Sequence, residues 1–211
     1  MAKGGTFENE IAQKISLWLT NGKSDECVRR TESSGARATQ RSKKKKARDT
    51  MFGDICPADD TDSVQNFFKL ISIELKSGYP TGKAKLKSGN STVTNWSFND
   101  MIDSRQGLNQ FFKFWDQCLT DASKSQREPI LIFRRNRREA CIAMHSDLFD
   151  AFQKFSGYTF GDFFIEIKTP SPDGVHSLTI CNMSEFFKWF KYRDTLLRGP
   201  ITRTLMKRRS R

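Results

Sequence analysis

Ile71-Ser72-Ile73-Glu74-Leu75-Lys76 alternates apolar and polar side chains, the period-2 pattern of a β-strand. Ile71, Ile73 and Leu75 share one face. Ser72, Glu74 and Lys76 share the other, so a carboxylate and an ammonium two residues apart point the same way. Taken alone, Glu-x-Lys on a strand is an ordinary surface charge pair. Two upstream features give it a second meaning. They are Gly53-Asp54-Ile55, twenty residues before Glu74, and Glu8 in a first helical segment.

Residues 6–21 read as that helix. Phe7, Ile11, Ile15 and Trp18 recur at helical spacing, and Asn21-Gly22 supplies a stop. With Ile11 at 0° and about 100° per residue, Glu8 falls near 60°, inside the apolar arc. Glu10 falls near −100°, outside it, where Lys14 at i+4 is its expected partner. A carboxylate on a buried stripe needs a counter-charge or a bound cation. Glu8 is therefore a candidate functional group and Glu10 is not.

The rest of the chain bounds the partner. It has 211 residues with a formal net charge of +12, and hydrophobic residues make up 36%. Mean hydropathy is −0.62 and the pI is near 9.7. Eighteen Phe and four Trp still supply a core. The positive excess favours a polyanion, either nucleic acid or an anionic membrane surface. No apolar run is long enough to span a bilayer, and the N-terminus leads into no signal-peptide core. The expectation is a soluble, cytoplasmic, nucleic-acid-facing protein. The five cysteines are scattered with no C-x-x-C pair, and there are two histidines. This disfavours a zinc site, a disulfide framework and histidine-based nuclease chemistry.

Along the chain, 27–30 and 52–58 read as short strands and 67–76 as the next. A hairpin between the last two would lay Asp54 beside Glu74. Residues 37–48 carry Arg37, Arg41, Lys43, Lys44, Lys45, Lys46 and Arg48 without an acid. That run reads either as a solvated loop or as phosphate contacts. Residues 77–100 are rich in Gly, Ser and Thr. Residues 108–119 read as a helix with Phe111, Phe112, Trp115 and Leu119 on one side. Residues 129–133 read as a buried strand, hairpinned to 140–144 through Arg134, Arg135, Arg137 and Arg138, which read as DNA phosphate contacts or as solvated surface. Helices are expected at 147–155 and 184–197, and a strand at 163–168.

Asp54 and Glu74 on neighbouring strands would give oxygen ligands to a hard divalent cation, with the Leu75 main-chain carbonyl between them. Lys76 would place positive charge where it grows negative on a phosphate. Glu8 would position a second ion or the attacking water. A second triplet, Asp162, Glu166 and Lys168, has the same alternation. Its two acids would lie about 13 Å apart along one strand, too far to share an ion, so it reads as a surface strand.

Gly53-Asp54-Ile55, Ile73-Glu74-Leu75-Lys76 and Phe7-Glu8-Asn9-Glu10-Ile11 together resemble the PD-(D/E)xK nuclease superfamily. They are most similar to archaeal-type Holliday junction resolvases and phage resolvase-like nucleases. Gly53 stands where that family has proline. Residues 29–39 resemble the family loop in which a basic residue and hydroxyls approach the scissile phosphate, here Arg30, Ser33 and Ser34. The resemblance implies an α/β, restriction-endonuclease-like core, a central mixed sheet flanked by helices. One nuclease-like domain would cover 1–197, with a core at about 6–146, a C-terminal addition at 147–197 and a basic tail at 198–211. It implies a Mg²⁺-dependent endodeoxyribonuclease (Mn²⁺ as substitute) acting on branched or duplex DNA, and a homodimer. The catalytic residues would be Glu8, Asp54, Glu74 and Lys76. Alternatives are a restriction-type or nicking enzyme, or a non-catalytic nucleic-acid-binding protein.

Overall fold

The computed structural model describes residues 3–31, 53–78, 83–85, 91–93, 110–135, 137–171 and 174–192. Helix α1 spans Lys3–Leu19. Phe7, Ile11, Ile15 and Trp18 are all buried, so the stripe read from the sequence faces the core. The helix stops where Gly22 takes a φ of 82° and its N–H reaches the Leu17 carbonyl at 2.7 Å. Strands β1 (Val28–Arg30) and β2 (Ile55–Pro57) pair antiparallel as a separate two-stranded sheet.

The expected hairpin between 52–58 and 67–76 does not form. Helix α2 (Asp62–Leu70) intervenes, and β3 (Ile71–Ser77) begins only at Ile71. Val64, Phe67 and Phe68 lie at i, i+3 and i+4 and are buried together. That helical stripe overrides an apolar run that also suits a strand. β2 takes β1 as its partner, and it is the short segment just before β2 that reaches β3.

Further on come β4 (Lys83–Lys85), which pairs antiparallel with β5 (Ser91–Val93), and helix α3 (Gln110–Lys124). Strands β6 (Glu128–Arg134) and β7 (Cys141–His145) and helix α4 (Ser146–Ser156) follow. Strands β8 (Phe164–Ser171) and β9 (Gly174–Asn182) and helix α5 (Met183–Trp189) complete the described chain. The Asn182 side chain caps α5, accepting from the N–H groups of Ser184 and Glu185.

The central sheet has the order β3-β6-β7-β9-β8. β3 and β6 are parallel and the remaining pairs antiparallel, so the sheet is mixed. Joining parallel neighbours requires a crossover, and α3 lies in it. Ile71, Ile73, Leu75, Ile130 and Ile132 face a core that includes side chains of α1, α2, α4 and α5. Leu131, Phe133, Ala143, Leu178 and Ile180 face α3 through Phe111, Phe114, Trp115 and Cys118. The sheet is thus covered on both faces, the α/β architecture expected of a restriction-endonuclease-like core. β8 and β9, from beyond residue 147, continue the same sheet.

Trp18 anchors the larger core. Its ring lies 5.7 Å from that of Phe67 and 4.8 Å from that of Phe187. Its Nε1–H donates to the Phe190 carbonyl at 2.6 Å, so the indole is buried with its polar atom satisfied. The five cysteines are free thiols, four of them buried and Cys141 half-buried. No helix among the described residues is long and apolar enough to cross a membrane.

Candidate active site

Among the described strands β3 lies at an edge of the central sheet, and Gly53-Asp54 docks on its outer side. The Asp54 N–H donates to the Ile73 carbonyl at 2.9 Å. The Leu75 N–H donates to Asp54 Oδ2 at 2.8 Å. One residue therefore fills two consecutive edge positions, first with its backbone and then with its carboxylate. N–H and C=O of one strand residue point the same way, so the Leu75 carbonyl faces the edge that carries Asp54. Gly53 permits the approach. Its φ is 88°, and a Cβ there would lie 2.6 Å from the Ile73 carbonyl oxygen.

Glu74 projects from β3 toward α3 and is 5% exposed. The Lys76 ammonium donates to its Oε1, and Gln117 Nε2 donates to the same oxygen at 2.8 Å. Lys76 also lies 5.6 Å over the Phe114 ring. Burial, then the nearby Asp54 carboxylate, push Glu74 up to about 7 against the opposing pull of Lys76. Burial likewise raises Asp54, opposed by the Leu75 N–H, Lys76 and Arg30. Asp121, on the α3 turn after Gln117, adds negative potential at both. This is a site short of positive charge.

The donor set fits a hard cation: a buried carboxylate and a half-buried one that repel one another, with a main-chain carbonyl aimed at the same edge. Among the described residues no three His, Cys, Asp or Glu side chains gather into a metal cage. A carboxylate pair without a full cage is the arrangement Mg²⁺ tolerates, because it retains several waters.

The family described as phage putative PDDEXK endonuclease matches residues 1–196. The chain belongs to that family. No match was found among curated proteins or among solved structures. Membership of a PDDEXK endonuclease family makes the chain a nuclease of the hydrolase class, and the Asp54, Glu74 and Lys76 cluster is its candidate catalytic group.

In this PDDEXK endonuclease Glu8 is half-buried on α1, its side chain 15% exposed, and ion-pairs with Arg30 Nε. Arg30 is also a positive neighbour of Asp54. Glu8 thus approaches the carboxylate pair through an arginine. Glu10 bonds Lys14 at 2.9 Å, the i+4 partner expected, and Arg134 at 2.7 Å. Arg134 in addition covers the Phe7 ring at 4.5 Å, so it is engaged within the fold. Arg135 is half-buried, and Arg137 and Arg138 are exposed at the β6–β7 turn. Ser33, Ser34, Arg37, Arg41 and Lys43 to Lys46 lie outside the described residues. Asp162, Glu166 and Lys168 are exposed beside or on β8, at the edge opposite β3.

Sequence reasoning missed Gln117 and Asp121. Phe114, Gln117 or Cys118, and Asp121 recur at helical spacing beside the apolar stripe of α3. A polar pair at i and i+4 next to that stripe is a visible signal, but only the docking of α3 on β3 gives it a target. Gln117 holds one oxygen of Glu74, leaving its orientation fixed. Gln117→Ala is expected to lower cleavage and divalent-cation affinity by about 10–100-fold while the fold is retained. Cation titration alongside cleavage rates checks this, and Gln117→Glu should not rescue because it adds a further like charge beside Asp54, Glu74 and Asp121.

Proposed function

We propose that this chain is a divalent-cation-dependent endonuclease of DNA, using Mg²⁺ at Asp54, Glu74 and the Leu75 carbonyl. The observation that carries the reading is the pairing of Asp54 and Glu74. Two carboxylates are held at one strand edge, each raised in pKa by burial, with the Asp54 charge adding to the rise at Glu74. A pair raised by burial even with Lys76 and Arg30 beside it is an arrangement that a bound cation relieves. When bound, the cation supplies positive charge to the scissile phosphate and lowers the pKa of a water at the site.

The chain's own residues do the rest. The Leu75 N–H fixes one Asp54 oxygen, and Gln117 and Lys76 fix one oxygen of Glu74. Both carboxylates are thereby pre-set rather than searching rotamers. Lys76, held beside Glu74, presents a positive charge toward the phosphate as negative charge builds there. Arg30 draws the potential at Asp54 in the same direction. Glu8 holds Arg30 in place by its ion pair and so acts on the site through that arginine.

The resemblance of residues 7–76 to junction resolvases makes branched DNA the preferred substrate in this reading, with a homodimer as the acting form. Labelled four-way junction, flap and linear duplex, each with Mg²⁺, Mn²⁺ or EDTA, test it. Cleavage that needs a divalent cation and is fastest on the junction is expected. Equal cleavage of linear duplex would move the reading to a restriction-type or nicking enzyme. DNA binding without cleavage of any substrate would remove it.

A further inference from the structure

Among the described strands, β8 forms the sheet edge farthest from the carboxylate pair. Glu166 and Lys168 stand exposed on one face of it, and neither makes an ion pair with another described residue. Phe164, at the start of the strand, is 42% exposed, and Val175, paired with Pro170 near the other end, is 69% exposed. The β8–β9 hairpin closes at Ser171 and Gly174 across two residues. A pair closing a two-residue loop is a hydrogen-bonded pair. Alternation then turns the backbone groups of Thr169, Ile167 and Ile165 toward β9. Those of Pro170, Lys168, Glu166 and Phe164 point outward. Pro170, which has no N–H to offer, falls in the outward set, where an edge strand accepts proline.

We propose that β8 pairs antiparallel with β8 of a second copy of this chain, about a twofold axis at Ile167. Outward-pointing groups can bond only to outward-pointing groups, so the central twofold registers are those on 166, 167 or 168. A twofold at Glu166 opposes two carboxylates, and one at Lys168 opposes two ammonium groups. The twofold at Ile167 sets Glu166 against Lys168 of the second copy, and the reverse, giving two favourable cross-strand pairs. It also sets Phe164 opposite Pro170 of the second copy, with that copy's Val175 one strand beyond. Exposed apolar residues of the two copies are then brought to the same ends of the ribbon. The same alternation of charge that discourages the other registers selects this one. The contact is isologous and closes, and it leaves both β3 edges at the outer ends of the joined sheets. It does not depend on the nuclease reading.

Sedimentation velocity over a concentration series, at low salt, tests the pairing with the full chain. Wild type is expected to dimerise. E166K and K168E each turn both opposed pairs into like charges and weaken the dimer by about tenfold or more. The double variant E166K/K168E restores it, and an equimolar mixture of the two single variants gives a heterodimer. Circular dichroism confirms that each variant is folded. A wild type that stays monomeric overturns the proposal. So does a dimer indifferent to the single reversals, or one that the double exchange fails to restore.

Discussion

Glu74→Gln is expected to stop cleavage and at the same time to make the metal-free protein more stable. The expected loss of rate is on the order of 10³-fold or more, because the variant cannot pair a full negative charge with the cation. Asp54→Asn should behave alike, and Lys76→Ala should lose about 10²–10³-fold. The stability gain follows from linkage. Glu74 is raised from its ordinary value of 4.5 to about 7 in the folded chain. Between these values the folded chain holds a proton that the unfolded chain releases. Its contribution to stability is full below 4.5 and is lost as pH rises through 7. At pH 8 without divalent cation the wild type therefore carries a destabilising charge that glutamine lacks. The expected gain is on the order of 1–3 kcal/mol, or roughly 3–8 °C in Tm. At pH 4 the two proteins should melt together. A variant that is inactive and also less stable at pH 8 would mean Glu74 is a structural ion-pair partner of Lys76.

Gly53→Ala is expected to damage both fold and site. Its φ of 88° strains any residue with a Cβ, and that Cβ would sit 2.6 Å from the Ile73 carbonyl oxygen. Backbone cannot swing aside as a flexible side chain can, so the segment carrying Asp54 must lift from β3. The expected destabilisation is about 2–4 kcal/mol, with cleavage falling by at least about tenfold. Gly22→Ala separates the two causes. Gly22 has a similar φ of 82° with nothing within 4 Å of an added Cβ, so it reports backbone strain alone, about 1 kcal/mol, with cleavage unchanged. Urea unfolding and cleavage rates for both variants make the comparison. Equal effects at the two positions would show that the docking at Ile73 does not matter to the site.

What the sequence disclosed here was what local periodicity can carry. The 7/11/15/18 stripe located α1, and the alternation of 71–76 located β3. Its apolar and polar faces are indeed turned to different layers of the fold. The apolar run of 129–133 announced a strand buried on both sides. The boundary at residue 70 was hidden because Phe67, Phe68, Leu70 and Ile71 suit either element, and only the stripe from Val64 separates them. β9 went unread because His176, Ser177 and Thr179 dilute the alternation around Leu178 and Ile180. In the site, Asp54 was legible because its distance from Glu74 and the glycine before it carry information. Its attachment was not, since that depends on an edge strand lacking a neighbour. Gln117, Asp121 and the engagement of Glu8 by Arg30 are products of packing between elements far apart in the chain.

The central claim is that Asp54 and Glu74 form a divalent-cation site that cuts DNA. Parallel preparations of wild type and Asp54→Asn, incubated with labelled four-way junction and linear duplex in Mg²⁺ or in EDTA, address it directly. The account predicts cleavage by wild type in Mg²⁺, none in EDTA, and none by Asp54→Asn in either, with DNA binding retained in all. Cleavage by Asp54→Asn at the wild-type rate, or wild-type cleavage undiminished by EDTA, would contradict it.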